Sequence, residues 1–240
     1  MGARELMSMP NQEVVDVIAR AVDMGRDLGA EIVGLGALTS VVTKGGRAVT
    51  GRNVAITSGN SFTTLMAIEA LFLGAEKMNV EPIAARAGIV GANGSIGRAC
   101  AMMVSERVCQ MTLFGSPQHP TSSRLRLDSL ARDVLSYART RMREGALDGM
   151  SLWLSRVLNT LESMPGATAG RFAEMIAGEG ELSLEVMVQI CEFLGISVPL
   201  TTSTDIAADL PDCELVVAAS NSPEYLIYPD NLRCGAVVCD

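Results

Sequence analysis

Apolar residues at Val14, Val15, Ile18, Val22 and Leu28 recur at helical spacing, and Gly29 follows them. The pattern predicts an amphipathic helix with Asn11 as its cap. Residues 31–36 read as a short buried strand running into glycine, 44–47 as a turn, and 53–57 as a second buried strand. A polar turn at Ser58–Ser61 opens a longer helix with Phe62, Leu65, Ile68, Phe72 and Ala75 on one side. Strand, glycine-bearing turn, helix: this order is that of an α/β protein.

The clearest unit of this kind follows. Ala87–Val90 is strand-like, Gly91, Gly94 and Gly97 come next in a G-x-x-G-x-x-G spacing, a helix continues to Val104, and Cys109–Phe114 is a second strand. One glycine permits the tight turn, another lets backbone approach a pyrophosphate, and the last lets helix and strand pack closely. The helix N-terminus offers N–H groups and a positive dipole end to phosphates. Gly91, Asn93, Gly94, Ser95, Ile96 and Gly97 are therefore assigned to cofactor binding. The second strand leads into Ser116 and His119 without the carboxylate that usually holds the ribose hydroxyls of NAD. Ser116, His119 and Arg124 suit a 2′-phosphate instead, so NADP(H) is the expected cofactor; the plainer alternative leaves His119 and Arg124 as solvated loop residues.

Residues 121–195 then exceed what a simple helical crossover needs, roughly 30 residues with its strands. Helical spacing persists through Leu127, Leu130, Val134, Tyr137 and Met142, through Leu152, Leu158 and Leu161, and through Leu184, Met187, Cys191 and Leu194. This is an inserted helical subdomain of three or four helices. Arg132, Arg139 and Arg143 share a polar face, while residues 174–192 are acidic. The two faces either neutralise each other in solvent or offer a docking surface to an acidic partner such as a carrier protein. Strands resume at 196–202, at 214–219 and at 235–240, with a short helix at 205–210; Ser220 and Asn221, just past the second of these strands, are placed on the cofactor side.

The expected fold is thus α/β: a Rossmann-type parallel sheet with a small N-terminal α/β portion and a helical insertion after the second Rossmann strand. Residues 1–84 form the substrate-side portion and 85–240 the NADP-binding domain, with 121–195 as the insertion. A final parallel strand with no helix to cover it suggests a truncated C-terminus and an apolar face that favours a homo-oligomer.

Composition narrows the function. The 240 residues are 48% hydrophobic and 19% charged, enough for a packed core, and the net charge of -8 with 4% aromatics argues against a nucleic-acid partner. No run reaches the ~18 apolar residues of a membrane span, and the first ten residues carry no signal core, so a cytoplasmic location is expected. The six cysteines form no CxxC pair and His119 is the single histidine, so no metal site is expected.

Three stretches in order, Gly34–Val42, Thr57–Thr63 and Gly88–Gly97, resemble the matching motifs of cyanobacterial-type long-chain fatty acyl-(acyl-carrier-protein) reductases and the predicted amino-acid dehydrogenases grouped with them. The resemblance covers about residues 12–116 and 198–240, and the helical middle does not match. It implies NADPH-dependent reduction of an acyl thioester, carried by acyl carrier protein or CoA, to an aldehyde. It also implies that Asn60 and Ser61 border the substrate crevice, where N–H groups and the Asn amide would bind a carbonyl oxygen; by local chemistry alone they are equally an ordinary helix start. Hydride transfer would then take place in the cleft between the two portions. The family's acyl-accepting cysteine lies C-terminal of the position of Asp240, so no residue here inherits it, and Cys239 reads as an inert core thiol rather than a stand-in. Two alternatives remain: an oxidoreductase like shikimate or methylenetetrahydrofolate dehydrogenase without a covalent intermediate, and a non-catalytic nucleotide-binding or assembly domain of a larger biosynthetic protein.

Overall fold

A computed structural model describes residues 8–222 and 225–240. The chain divides into two compact units, Met1–Phe62 and Thr63–Asp240.

In the first unit, helix α1 (Asn11–Asp27) buries Val14, Ile18, Ala19 and Val22, the stripe that the spacing predicts. Its cap is Pro10 without a side-chain hydrogen bond, so Asn11 is the first helical residue and not the cap. Strands β1 (Ile32–Gly34) and β2 (Ala55–Thr57) pair in parallel, with Val33 opposite Ile56. Neither strand is buried throughout. Val33 and Ile56 pack with Leu35 and Val49 against α1, whereas Ile32 is 65% exposed. Alternate side chains of a two-stranded sheet point to opposite faces, and α1 covers one of them. Between the strands lie a one-turn helix α2 (Thr39–Val42) and a 3-10 turn (Arg47–Val49).

Helix α3 (Asn60–Lys77) starts in the first unit, and its residues from Thr63 onward belong to the second. The division therefore falls inside this helix, whereas the sequence places it after residue 84. The reason is packing: Ile68, Leu71, Phe72 and Ala75 join the core of the larger sheet. Phe62 and Leu65, expected on the same buried side, are exposed.

The second unit is a Rossmann-type α/β fold. Strands β3 (Arg86–Val90), β4 (Gln110–Phe114), β5 (Leu200–Ser203), β6 (Leu215–Ala218) and β7 (Val237–Cys239) form one parallel sheet in the order β5-β4-β3-β6-β7. Adjacent residues feed opposite cores. Ala87, Ile89, Met111, Leu113, Leu215 and Val217 face one side, and Val90, Phe114 and Val216 the other. Such double burial is why these strands read as continuous apolar runs.

Helix α4 (Ser95–Val104) links β3 to β4, and residues 120–194 fold as α5 (Pro120–Arg143), α6 (Gly149–Ser163), α7 (Ala167–Ala177) and α8 (Leu184–Leu194). Leu130 and Val134 of α5, Leu154 of α6, Ile176 of α7 and Met187 of α8 lie in the same apolar cluster as the sheet residues Ile89 and Met111. The helices are thus a layer continuous with the Rossmann core, which α5 enters as the crossover helix. A short helix α9 (Ile206–Asp209) precedes β6.

The arginine face of α5 is spent inside this layer. Arg132 pairs with Glu181 and Arg143 with Glu179, while Arg139, 6% exposed, donates to the carbonyls of Gly178 (2.8 Å) and Gly180 (2.7 Å). The basic and acidic segments therefore meet each other at the α7–α8 connection. Burial, and then Arg143, lower the Arg139 pKa, yet a guanidinium remains charged at neutral pH. Arg139→Met is expected to cost about 2 kcal/mol, because it removes the charged donor that joins the Gly178 and Gly180 carbonyls to α5. Urea denaturation reads this; an unchanged midpoint would mean that the Gly178–Gly180 turn holds without Arg139.

Candidate nucleotide-binding cleft

The strand order reverses direction between β3 and β6: β4 and β5 lie to one side, β7 to the other. At such a switch point the loops leaving the two central strands diverge and leave a crevice beyond their C-terminal ends. The glycine loop opens there. Val90 ends β3, Gly91 takes φ 77°, and the N–H groups of Gly91 and Ala92 both donate to the Phe114 carbonyl (3.1 Å each). Gly94 N–H closes a turn on the Gly91 carbonyl (2.9 Å), and α4 begins at Ser95. Its N-cap is Gly94, which has no side chain to cap the helix, so the dipole end faces the crevice without a side-chain acceptor.

The three glycines have different reasons to be glycine. A Cβ on Gly91 would lie 2.8 Å from the backbone of Ala219 and Ser220, and one on Gly97 would lie 2.3 Å from the Gly91 carbonyl oxygen. The fold itself requires both. Gly94 has ordinary extended angles (φ −77°, ψ 164°), and the nearest atom to its Cβ would be the Gly91 oxygen at 3.3 Å. It is exposed, and the protein's own packing makes only a mild demand for glycine there.

A cleft of about 330 Å³ lies over this loop. Gly91, Asn93 and Gly94 form its floor, Ala219, Ser220 and Asn221 its wall after β6, and Gly115, Ser116, Pro117 and Gln118 its wall after β4. Arg126 of α5 lines it too, and no carboxylate among the described residues does. A neighbouring cavity of about 450 Å³ shares Ser220, Ser222 and Leu226 with it and is lined further by Val90, Ala218, Ile227, Val238 and Asp240. The two run together along the C-terminal edges of the central strands.

A small hydrogen-bond network fixes the β4 side. Ser123 of α5 is fully buried, and its Oγ accepts from Asn93 Nδ2 (2.8 Å) and from the Ser116 N–H (2.9 Å). Asn93 Nδ2 also reaches the Ser123 carbonyl (3.3 Å), which fixes the orientation of the amide. Gly115 makes room: a Cβ there would sit 2.0 Å from Ser123 Oγ. Helix, glycine loop and strand end are thereby joined at one hydroxyl.

Of the residues assigned from the sequence, Gly91, Asn93, Gly94, Ser116, Ser220 and Asn221 come together in the cleft. Ser95, Ile96 and Gly97 form the first turn of α4 behind it. Arg124 is exposed on α5 and is not among the lining residues; Arg126 is. His119 is an exposed residue preceding α5. Asn60 and Ser61 open α3 in the first unit, where Gly59 takes φ 71° and the Asn60 N–H donates to Ser58 Oγ (3.4 Å). The cleft itself is built from residues of the second unit alone. Sequence reasoning passes over Arg126 and Ser123; their signal is the i, i+3, i+4 row Ser123, Arg126, Leu127 at the start of α5, in which Leu127 is buried.

Burial holds five of the six thiols toward the protonated form. Burial pushes the Cys100 thiol up to about 11 and Cys213 to about 12, and Cys239 is raised by burial and then by Asp240. No helix among the described residues is long and apolar enough to cross a membrane.

No protein-family model matches the chain. An aminotransferase, PigE of Serratia sp. (strain ATCC 39006), is 34% identical over 98 residues, which is 40% of this chain and 12% of that protein. The chain thus spans a small part of the curated relative it resembles.

Proposed function

We propose that this chain is an NADP(H)-dependent oxidoreductase, or a domain of one, that reduces an acyl thioester to an aldehyde. The observation that carries the nucleotide part is the position of Gly94. It lies at the switch point of a β5-β4-β3-β6-β7 sheet, at an uncapped helix N-terminus, where the packing alone makes little demand for glycine. The pyrophosphate would lie over Gly91–Gly97, with the cleft toward β4 taking the adenosine half. The neighbouring cavity toward β7 would take the nicotinamide half.

The cofactor supplies a hydride to the thioester carbonyl, and the thiol leaves as the aldehyde forms. This choice of substrate rests on the motif resemblance, as does the substrate-side role of Asn60 and Ser61. The likeness to an aminotransferase supports an enzymatic setting. An acyl carrier protein as the thioester carrier belongs to the same proposal, but the α5 arginines already bound to the α7–α8 turn do not provide its docking face. The test is calorimetry with NADPH, followed by product analysis after incubation with an acyl-CoA. NADPH binding with aldehyde release is expected, and a folded protein that binds no nucleotide would refute the reading.

A second reading, hydride transfer without a covalent intermediate, draws on the thiols. With the Cys239 pKa raised, little thiolate is present at neutral pH, and the nucleophile is the thiolate. Incubation of this chain with an acyl thioester at pH 7 is expected to leave its intact mass unchanged. A stoichiometric adduct lost in Cys239→Ser would show instead that Cys239 accepts the acyl group.

A further inference from the structure

Arg126 differs from the cations further along helix α5, and from Arg124 in that it lines the cleft. Arg132, Arg141 and Arg143 are paired with Glu181, Asp148 and Glu179, and Arg139 is held by backbone carbonyls. Arg126 forms no salt bridge among the described residues. Its Nε donates to the Ser122 carbonyl one turn back (3.3 Å), which orients the guanidinium and leaves its two terminal nitrogens for another acceptor. It lines the cleft together with Ser116, Pro117 and Gln118, and no carboxylate among the described residues lines that cleft. The helix that carries it is locked in place by Ser123, through Asn93 and Ser116. In a chain of net charge -8, an arginine without an ion pair among the described residues, at a cleft, points to an anion there.

We propose that Arg126 is the specificity-determining residue for the cofactor, and that its terminal nitrogens bind the 2′-phosphate of NADP(H). The inference rests on the nucleotide reading above and adds to it. The crossover helix, through its register, decides between the two dinucleotides, and Arg126 does what the sequence assigns to Arg124. Position fits chemistry here: in this fold the adenosine ribose lies beyond the second Rossmann strand, which is β4, and a planar guanidinium matches a phosphate with two parallel hydrogen bonds.

The experiment is titration of wild-type protein and of Arg126→Gln, Arg126→Lys and Arg124→Gln with NADPH and with NADH, each variant first checked by thermal melting. Arg126→Gln is expected to weaken NADPH roughly ten- to hundredfold, the loss of a charge-assisted contact, and to leave NADH within about twofold. Arg126→Lys should recover part of the loss, because it restores the charge but not the bidentate fork. Equal weakening of NADPH and NADH would overturn the proposal, by making Arg126 a pyrophosphate contact. So would a loss at Arg124→Gln in place of Arg126→Gln. A wild-type protein that binds neither dinucleotide would instead overturn the nucleotide reading beneath it.

Discussion

A Gly94→Val variant is expected to fold normally and to bind NADPH at least about a hundredfold more weakly than the parent, from lost phosphate contacts. The folded chain can accept the substitution. Residue 94 has backbone angles that valine adopts freely, and the nearest atom to the new Cβ is a carbonyl oxygen at 3.3 Å, which needs only a few tenths of an ångström of adjustment. The bound state cannot accept it, because the branched side chain would stand where phosphate oxygens approach the helix N-terminus. Thermal melting and calorimetry on the same sample separate the two effects. Unchanged NADPH affinity in a folded Gly94→Val protein would remove the pyrophosphate from this loop.

The second large effect lies three residues on and has the opposite character. Gly97→Val is expected to destabilise the second unit by about 3 kcal/mol or more, visible as loss of the cooperative melt or as insoluble protein. Its Cβ would come within 2.3 Å of the Gly91 oxygen and 2.9 Å of Ala92 Cα. Those neighbours are backbone atoms at the end of the central strand, tied by hydrogen bonds to Phe114, so no rotamer change relieves the clash. A Gly97→Val protein as stable as the parent would mean that α4 does not press on the loop as described. Together the two variants divide a glycine motif into a part the ligand needs and a part the fold needs.

That division explains what the sequence reveals and what it hides. The βαβ unit is legible because sterics at Gly91 and Gly97 permit few alternatives, and because β3, β4 and β6 are apolar on both faces. The helical layer is legible from its spacing, but its membership in the Rossmann core is not. Periodicity shows that Leu130 or Met187 is buried without showing what buries it. Helix α3 misleads for a related reason. It is apolar on several sides, so its spacing cannot tell that Ile68, Leu71 and Phe72 join the sheet while Phe62 and Leu65 stay exposed. At the cleft, the choice between Arg124 and Arg126 depends on the rotational phase of α5. That phase is set by contacts of Ser123 with Asn93, distant in sequence, and by the missing side chain of Gly115.

The meeting of Ser123, Asn93 and Gly115 has a consequence for how such a chain can diverge. Gly115 cannot gain a side chain unless residue 123 shrinks or α5 retreats, and a retreating α5 would release the Asn93 amide and the Ser116 backbone together. Positions 93, 115 and 123 are therefore expected to drift as a set. The helices beyond Arg143 are under no such constraint from the loop. Their inner faces are held by the shared core, but their outer surfaces can change while the cleft over the glycine loop keeps its geometry, which makes those surfaces the place where such chains can differ most freely.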